Sequence, residues 1–202
     1  MNKSDATVLL VDDDAEVRDA LARLLRSAGW KIEQYASATE FLAQATRHEV
    51  GCIVLDVSMP GMTGPELHAW MRDHQVSLPV IFLSGNCDVP ISVQAMKRGA
   101  FDFLEKPADA DVLLQAVEGA VEQHQRESAR QAADDEVAGR IASLSARERE
   151  VMEHVVSGRL NKQIAADLGI SEKTVKVHRG RAMGKMKVRS VARLVQVCKR
   201  LA

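Results

Sequence analysis

Thr7-Val8-Leu9-Leu10-Val11-Asp12-Asp13 decides the fold of this 202-residue chain, being an apolar, β-branched run that stops at two carboxylates. Three more runs repeat the pattern. Cys52-Ile53-Val54-Leu55 stops at Asp56, Val80-Ile81-Phe82-Leu83 stops at Ser84, and Phe101-Asp102-Phe103-Leu104 is followed by Glu105 and then Lys106-Pro107. Short apolar runs bounded by polar and turn residues read as strands. Ile32 to Tyr35 supplies a fifth.

Helical patterns fill the intervals. Val17, Leu21, Leu24, Leu25 and Ala28 share one helical face, and Gly29 ends it. Glu40 to Ala45, Pro65 to Asp73, Val89 to Arg98 and Asp109 onward supply four more helices. Strict alternation of strand and helix predicts an α/β fold, a (βα)5 unit whose doubly wound parallel sheet carries helices on both faces. The strand ends of a parallel sheet open at one edge, where such folds place ligands. Asp12, Asp13, Asp56, Ser84 and Lys106 therefore converge there.

Charge divides the chain in two. From Ile141 onward 14 Lys and Arg face 5 Asp and Glu, a net of +9, so the whole-chain −1 leaves −10 for residues 1 to 140. Carboxylates of an acidic half suit metal or phosphate chemistry, and a compact basic half is the electrostatic footprint of nucleic-acid binding. The three cysteines, Cys52, Cys87 and Cys198, show neither CxxC nor Cys/His metal spacing, which argues for a reducing compartment and against a disulfide scaffold. Cys52 falls inside a strand run and is read as core. No apolar stretch approaches the roughly 18 residues of a membrane span, so a soluble, cytoplasmic protein is expected.

Residues 118 to 142 are rich in Glu, Gln, Arg and Ala, and Val117 and Val121 continue an apolar spacing of four. These are good helix formers, so this segment reads as a solvated helix linking two domains, ending at Gly139. Four short helices follow. Ser145 with Glu148 forms a capping box for a helix stopped by Gly158. Asn161 to Leu168 stops at Gly169, Ser171 caps a helix from Glu172 to Met186, and Val191 to Leu201 is the last. The junction helix-Gly169-Ile170-Ser171-helix has the short turn of a helix-turn-helix.

At the acidic edge, two adjacent carboxylates and a third from another strand make a hard oxygen site that suits Mg²⁺. A carboxylate in such a site is also a nucleophile toward phosphoryl groups. Asp56 stands alone at the end of the central strand and is the phosphoacceptor candidate, with Asp12 and Asp13 as metal ligands. Lys106 would neutralise the transferred group and Ser84 would donate a hydrogen bond to it. Taken singly, each residue has a plain structural alternative: Asp12 to Asp14 as helix caps, Asp56 and Ser84 as loop residues, Lys106 as a turn. Convergence from four strand ends is what favours the chemistry.

Residues 1–122 resemble the receiver domain of bacterial two-component response regulators. The matching segments are Val11-Asp12-Asp13-Asp14, Leu55-Asp56-Val57-Ser58-Met59-Pro60-Gly61-Met62-Thr63-Gly64, Leu83-Ser84-Gly85, Ala95-Met96-Lys97-Arg98-Gly99-Ala100 and Phe103-Leu104-Glu105-Lys106-Pro107. The resemblance implies phosphorylation of Asp56 by a sensor histidine kinase, and Mg²⁺ held by Asp12, Asp13, Asp56 and the backbone carbonyl of Ser58. It implies a cis Lys106-Pro107 peptide and a switch in which Ser84 moves toward the phosphoryl group while Phe103 turns inward. Phe101, two residues earlier and on the same face, is expected in the core. The face of Val89 to Arg98 with the fifth strand and helix would carry the signal by dimerising. Ser84 stands where Thr is commoner; Asn86-Cys87 is a less usual continuation, with Cys87 expected as an exposed, unreactive thiol.

The second half resembles the LuxR-type helix-turn-helix through Leu144-Ser145-Ala146-Arg147-Glu148-Arg149-Glu150-Val151, Gly158, Asn161-Lys162-Gln163-Ile164-Ala165, Leu168-Gly169-Ile170-Ser171 and Thr174-Val175-Lys176-Val177-His178. With the receiver, the chain resembles the NarL/FixJ family, nearest its FixJ-like branch. That implies Lys176 and Val177 at base edges, with Asn161, Lys162, Lys173 and His178 near phosphates. Lys173, Lys176, Arg179 and Arg181 are expected on the exposed side, Val175 and Met183 toward the core. Gly180 departs from a basic residue used by some members, and the helix from Val191 often pairs between two bound domains.

The expected organisation is a receiver at 1–122, a helical linker at 123–142 and an all-α, four-helix DNA-binding domain at 143–202. The expected function is a phosphorylation-dependent transcription regulator and not an enzyme, with a histidine kinase, double-stranded DNA and RNA polymerase as partners, homodimeric when phosphorylated, and with no membrane association. Two alternatives differ in class. A Mg²⁺-dependent phosphohydrolase would need a second Asp two residues after the nucleophile, where Ser58 stands. A phosphorylation-independent regulator would not need the complete acidic-edge set.

Overall fold

A computed structural model describes Lys3 and residues 6–44, 50–85 and 89–199, with backbone alone at Val89. Two compact units divide the chain, Met1–Ser128 and Ala129–Ala202. In the first, strands β1 (Thr7–Val11), β2 (Lys31–Tyr35), β3 (Gly51–Asp56), β4 (Val80–Ser84) and β5 (Asp102–Glu105) alternate with helices α1 (Ala15–Ser27), α2 (Ala38–Gln44), α3 (Gly64–Asp73), α4 (Val89–Lys97) and the first part of α5 (Ala110–Ala142), whose residues from Ala129 belong to the second. All pairings are parallel, in the order β2-β1-β3-β4-β5. The chain leaves β1 for β2 on one side and reaches β3 on the other. This reversal opens a crevice beyond the carboxyl ends of β1 and β3.

The two-residue period of the strands sorts side chains into two cores. Val8, Leu10, Cys52, Val54, Ile81 and Leu83 meet Ala22 and Leu25 of α1 and Leu113, Val117 and Val121 of α5. Leu9, Val11, Ile53, Leu55, Val80 and Phe82 meet Phe41 of α2, Leu67 and Met71 of α3 and Ala95 of α4. Every residue of β3, the strand ending in Asp56, is buried, as is every residue of β4, the strand ending in Ser84. Each fully buried Leu or Phe contributes about 1.5–3 kcal/mol of transfer free energy. His124 of α5 is also buried and its Nδ1 accepts from Gly51 N at 3.1 Å, tying that helix to the start of β3.

Three expectations need correcting. Phe101 and Phe103 do not share a face: β5 begins at Asp102, and Phe101 packs into the α1/α5 core while Phe103 packs into the other. The strand period does not reach back across Phe101, whose N–H donates to Val80 O at 2.8 Å. Gly139 does not end its helix, because α5 continues to Ala142 with Val137 buried and Ile141 packed in the second unit's core. The third is Arg179, which is half-buried and not exposed. Ala45, Cys87 and Leu201, named in the sequence reading, lie outside the described residues.

The second unit holds α6 (Ala146–Val156), α7 (Asn161–Leu168), α8 (Glu172–Lys185) and α9 (Val191–Lys199). Ser145 Oγ accepts from Glu148 N and Glu148 Oε2 accepts from Ser145 N, the reciprocal capping box. Gly169 takes a left-handed φ of 65° to end α7, and Ser171 Oγ accepts from Thr174 N at 3.1 Å to start α8. Val151, Val155, Ile164, Val175, Ala182, Met186 and Leu194 form the core, with Met183 packed against it. Among the described residues no helix is long and apolar enough to cross a membrane.

Candidate functional site

The register brings the acidic residues together. Val11 pairs with Leu55, so Asp12 and Asp56, the next polar groups on β1 and β3, stand side by side. Carboxylate oxygens of Asp12, Asp13 and Asp56 lie within 4.8 Å of one another. Asp12 and Asp56 are 3% and 5% exposed, whereas Asp13 is open to solvent. Lys106, just past β5, bridges the buried pair, its Nζ 2.7 Å from Asp12 Oδ2 and 2.5 Å from Asp56 Oδ1.

Every hydrogen-bonding group of Asp12 is occupied. Its N–H donates to Tyr35 O, its Oδ1 accepts from Asp14 N, its Oδ2 from Lys106, and its carbonyl from Arg18 Nη1 at 2.6 Å. Asp14 caps α1 through Glu16 N and Val17 N, so the cap expected within this triplet falls on its third residue. Asp56 Oδ2 accepts from Ser58 N at 2.9 Å. Ser84, buried at the end of β4, pairs with Glu105, and its carbonyl accepts from Lys106 N at 2.7 Å. The Lys106-Pro107 peptide is cis. Phe103 packs beside Phe82, ring centroids 6.2 Å apart.

Burial pushes the Asp56 carboxyl above its ordinary range, with Asp12 adding to the push and Lys106 opposing it. Burial works to lower Lys106, but the hydrogen bonds and charges of Asp12 and Asp56 outweigh it and hold the ammonium above its usual range. Three carboxylates against one ammonium leave a deficit of two positive charges. An all-oxygen donor set with that deficit fits a hard divalent cation.

Sequence reading did not anticipate Arg18, which fixes the loop carrying Asp12 and Asp13, nor the part played by Gly64. A Cβ at Gly64 would stand 2.2 Å from Asp56 O, so α3 starts in contact with the main chain of the acidic strand end. Gly64 lies in the segment that carries the receiver resemblance, but only the fold shows what its missing side chain makes room for.

In the second unit Lys173, Lys176, Val177 and Arg181 are exposed on α8, and Lys162 on α7. Val175 is fully buried beneath them. Arg179 differs from its expected exposure: it is half-buried and its Nη1 donates to Asn161 Oδ1 at 3.0 Å, joining α8 to the start of α7. His178 is half-buried too, with Nδ1 shielded and without a hydrogen-bond partner among the described residues. The exposed array is basic, helical and preceded by a tight turn, a form suited to the major groove.

Comparison with known proteins finds a family match for each half of the chain. Residues 8–118 match the response regulator receiver domain, and residues 142–198 match the luxR family of bacterial regulatory proteins. The chain is 45% identical over 190 residues to the transcriptional regulatory protein FixJ of Azorhizobium caulinodans, covering 94% of this chain and 90% of that one. It is 43% identical to the response regulator protein TmoT of Ectopseudomonas mendocina, covering 100% of this chain and 91% of the relative. The solved structure of the response regulator StyR superposes with a TM-score of 0.90 at 40% identity, covering 96% of this chain and 98% of that one.

Proposed function

Because the chain belongs to the transcriptional response regulators that join a receiver domain to a LuxR-type DNA-binding domain, we propose that Asp56 is its phosphoacceptor and that phosphorylation drives dimerisation and DNA binding. One observation carries this reading: the carboxylates of Asp12, Asp13 and Asp56 converge within 4.8 Å at the strand ends, with Lys106 bridging two of them. A histidine kinase supplies the phosphoryl group. Its P–N bond breaks as a P–O bond forms to a carboxylate oxygen of Asp56.

Asp12, Asp13, Asp56 and the backbone carbonyl of Ser58 are the proposed ligands of Mg²⁺. Bound there, it supplies charge neutralisation for the phosphoryl oxygens. Lys106, already held by Asp12, follows the new anion, and Ser84 donates to it. Phe103, half-buried beside Phe82, is the switch aromatic that packs inward. Such a bistable packing event couples sites by about 1–3 kcal/mol.

Exposed Ile91, Val93 and Met96 on α4 and Val112 on α5 support a dimerising face there. In the DNA-binding domain, Lys176 and Val177 read base edges while Asn161, Lys162, Lys173, His178 and Arg179 serve the phosphate side. The proposed boundaries are 1–122, 123–142 as a helical linker whose last turns also pack in the core of the second unit, and 143–202. The setting is the cytoplasm, and RNA polymerase is the downstream partner.

Light scattering with Mg²⁺, with and without beryllofluoride as a mimic of the aspartyl phosphoryl group, tests the reading. A monomer-to-dimer shift that disappears in Asp56→Ala is expected. An unchanged mass, with equal DNA binding by treated and untreated protein, would favour a phosphorylation-independent regulator instead.

A further inference from the structure

The last two turns of α5 hold the C-terminal end of α8. Arg140 Nη1 donates to the carbonyl of Met186, the residue that closes α8, at 3.4 Å, while its Nη2 pairs with Glu136 Oε1 at 2.6 Å. Lys187 Nζ lies 3.6 Å from the same Glu136 oxygen. In the other direction, Lys185 in the last turn of α8 donates to Ser143 O at 2.9 Å and to Glu148 Oε2 at 2.7 Å. Val137 and Ile141 sit beneath these contacts in the core shared with Met186. Arg140 Nε is buried, so the guanidinium is held in the fold and is not merely resting on the surface.

A helix C-terminus leaves its last carbonyls unpaired and carries the negative end of the helix dipole. A guanidinium supplied by a neighbouring helix answers both. We propose that Arg140 is a positioning residue for sequence recognition: from α5 it fixes the C-terminal end of α8, and with it the angle at which α8 presents its exposed residues to DNA. The inference rests on the reading of α8 as the recognition helix. It also extends the DNA-binding unit upstream of the residues matched by the luxR family, which begin at 142.

The lever is long. At about 1.5 Å per residue, Lys176 lies roughly 15 Å along α8 from Met186, so a tilt of about 5° at the anchored end moves it by more than 1 Å. Base contacts depend on hydrogen-bond geometry finer than that, whereas phosphate contacts through long flexible cations tolerate it. Loss of the anchor therefore affects discrimination before it affects general affinity.

The test uses the full-length protein activated with Mg²⁺ and beryllofluoride, and a duplex selected from a random pool by the unaltered chain in the same state, compared with its scrambled counterpart. Arg140→Met, which keeps the stem and removes the guanidinium, is expected to lower the selected-to-scrambled affinity ratio about tenfold. Binding to the scrambled duplex and the slope of affinity against salt should stay within twofold. Glu136→Gln, which leaves the core untouched, should move the ratio the same way, and Arg140→Lys should recover part of it. An unchanged ratio in both, or equal losses on the two duplexes, would overturn the proposal by making Arg140 a stability residue or a phosphate contact. Failure of the unaltered chain to enrich any duplex would instead refute the recognition-helix reading beneath it.

Discussion

Gly64→Ala is a small change expected to have a large local effect. Gly64 opens α3, and its N–H donates to Val57 O at 3.1 Å. A Cβ there would meet Asp56 O at 2.2 Å, Asp56 C at 3.1 Å and Leu55 Cγ at 3.2 Å, against a practical limit of 3.0 Å. Helix and strand end must part by about 0.8 Å, and the obstructing atoms are main chain, not a side chain that can turn away. β3 is buried throughout, so much of the displacement falls on the end of the strand, where Asp56 sits. Overpacking of this kind costs about 1–3 kcal/mol, within the roughly 5–15 kcal/mol that a domain has. The protein should therefore remain folded, with Tm lowered by several degrees. A nucleophile misplaced by about 1 Å loses up to 10²-fold in rate. Phosphorylation by a small phosphodonor such as acetyl phosphate, timed well below the melting temperature, should accordingly slow by about 10- to 100-fold. A variant that phosphorylates at the normal rate with an unchanged Tm would refute the steric reasoning.

Gly139→Ala is the converse case: nothing lies within 4 Å of the added Cβ inside the continuous α5, so about 0.5–1 kcal/mol of stabilisation is expected in thermal melts. Glu148 is held down to about 2 by Lys185 and by the Ser145 N–H. A depressed carboxylate stabilises fully above its ordinary pKa of about 4.3 and loses that contribution as pH falls toward the folded value. Melts between pH 5 and 2.5 should therefore fall less steeply in Glu148→Gln, and superimposable slopes would contradict the assignment. Mg²⁺ at ten times its dissociation constant should stabilise the protein by about 1.4 kcal/mol; EDTA should reverse the gain and Asp13→Ala should remove most of it, and a full gain in that variant would exclude Asp13 as a ligand.

The acidic edge was legible because its geometry follows from a parallel sheet: polar groups that end consecutive apolar runs must meet at one edge, and the register of Val11 with Leu55 makes Asp12 and Asp56 neighbours. Helix caps at Asp14, Ser145 and Ser171 were equally local and equally readable. What escaped was tertiary. Phe101 looks like part of its strand until its ring is seen beside the bare backbone of Gly119, whose Cβ would stand 3.0 Å from Phe101 Cζ. Gly139 looks like a stop, but the roughly 1 kcal/mol it costs a helix is outweighed by Val137 and Ile141, which pack in a core built mostly from residues far downstream. Arg179 reads as a surface cation because its partner Asn161 is not near it in the chain, and Met186 O, which Arg140 meets, lies 46 residues away.

The bond between Arg179 and Asn161 carries information about direction. A guanidinium can only donate, so Asn161 must turn its carbonyl oxygen toward Arg179 and its amide nitrogen away. An aspartate at 161 would satisfy Arg179 equally well, yet it would present no N–H on the other side and would set a negative charge at the start of α7. Asparagine is thus a side chain that meets an internal donor with one end and leaves two N–H groups at the other, which the proposed phosphate-side role of Asn161 would use.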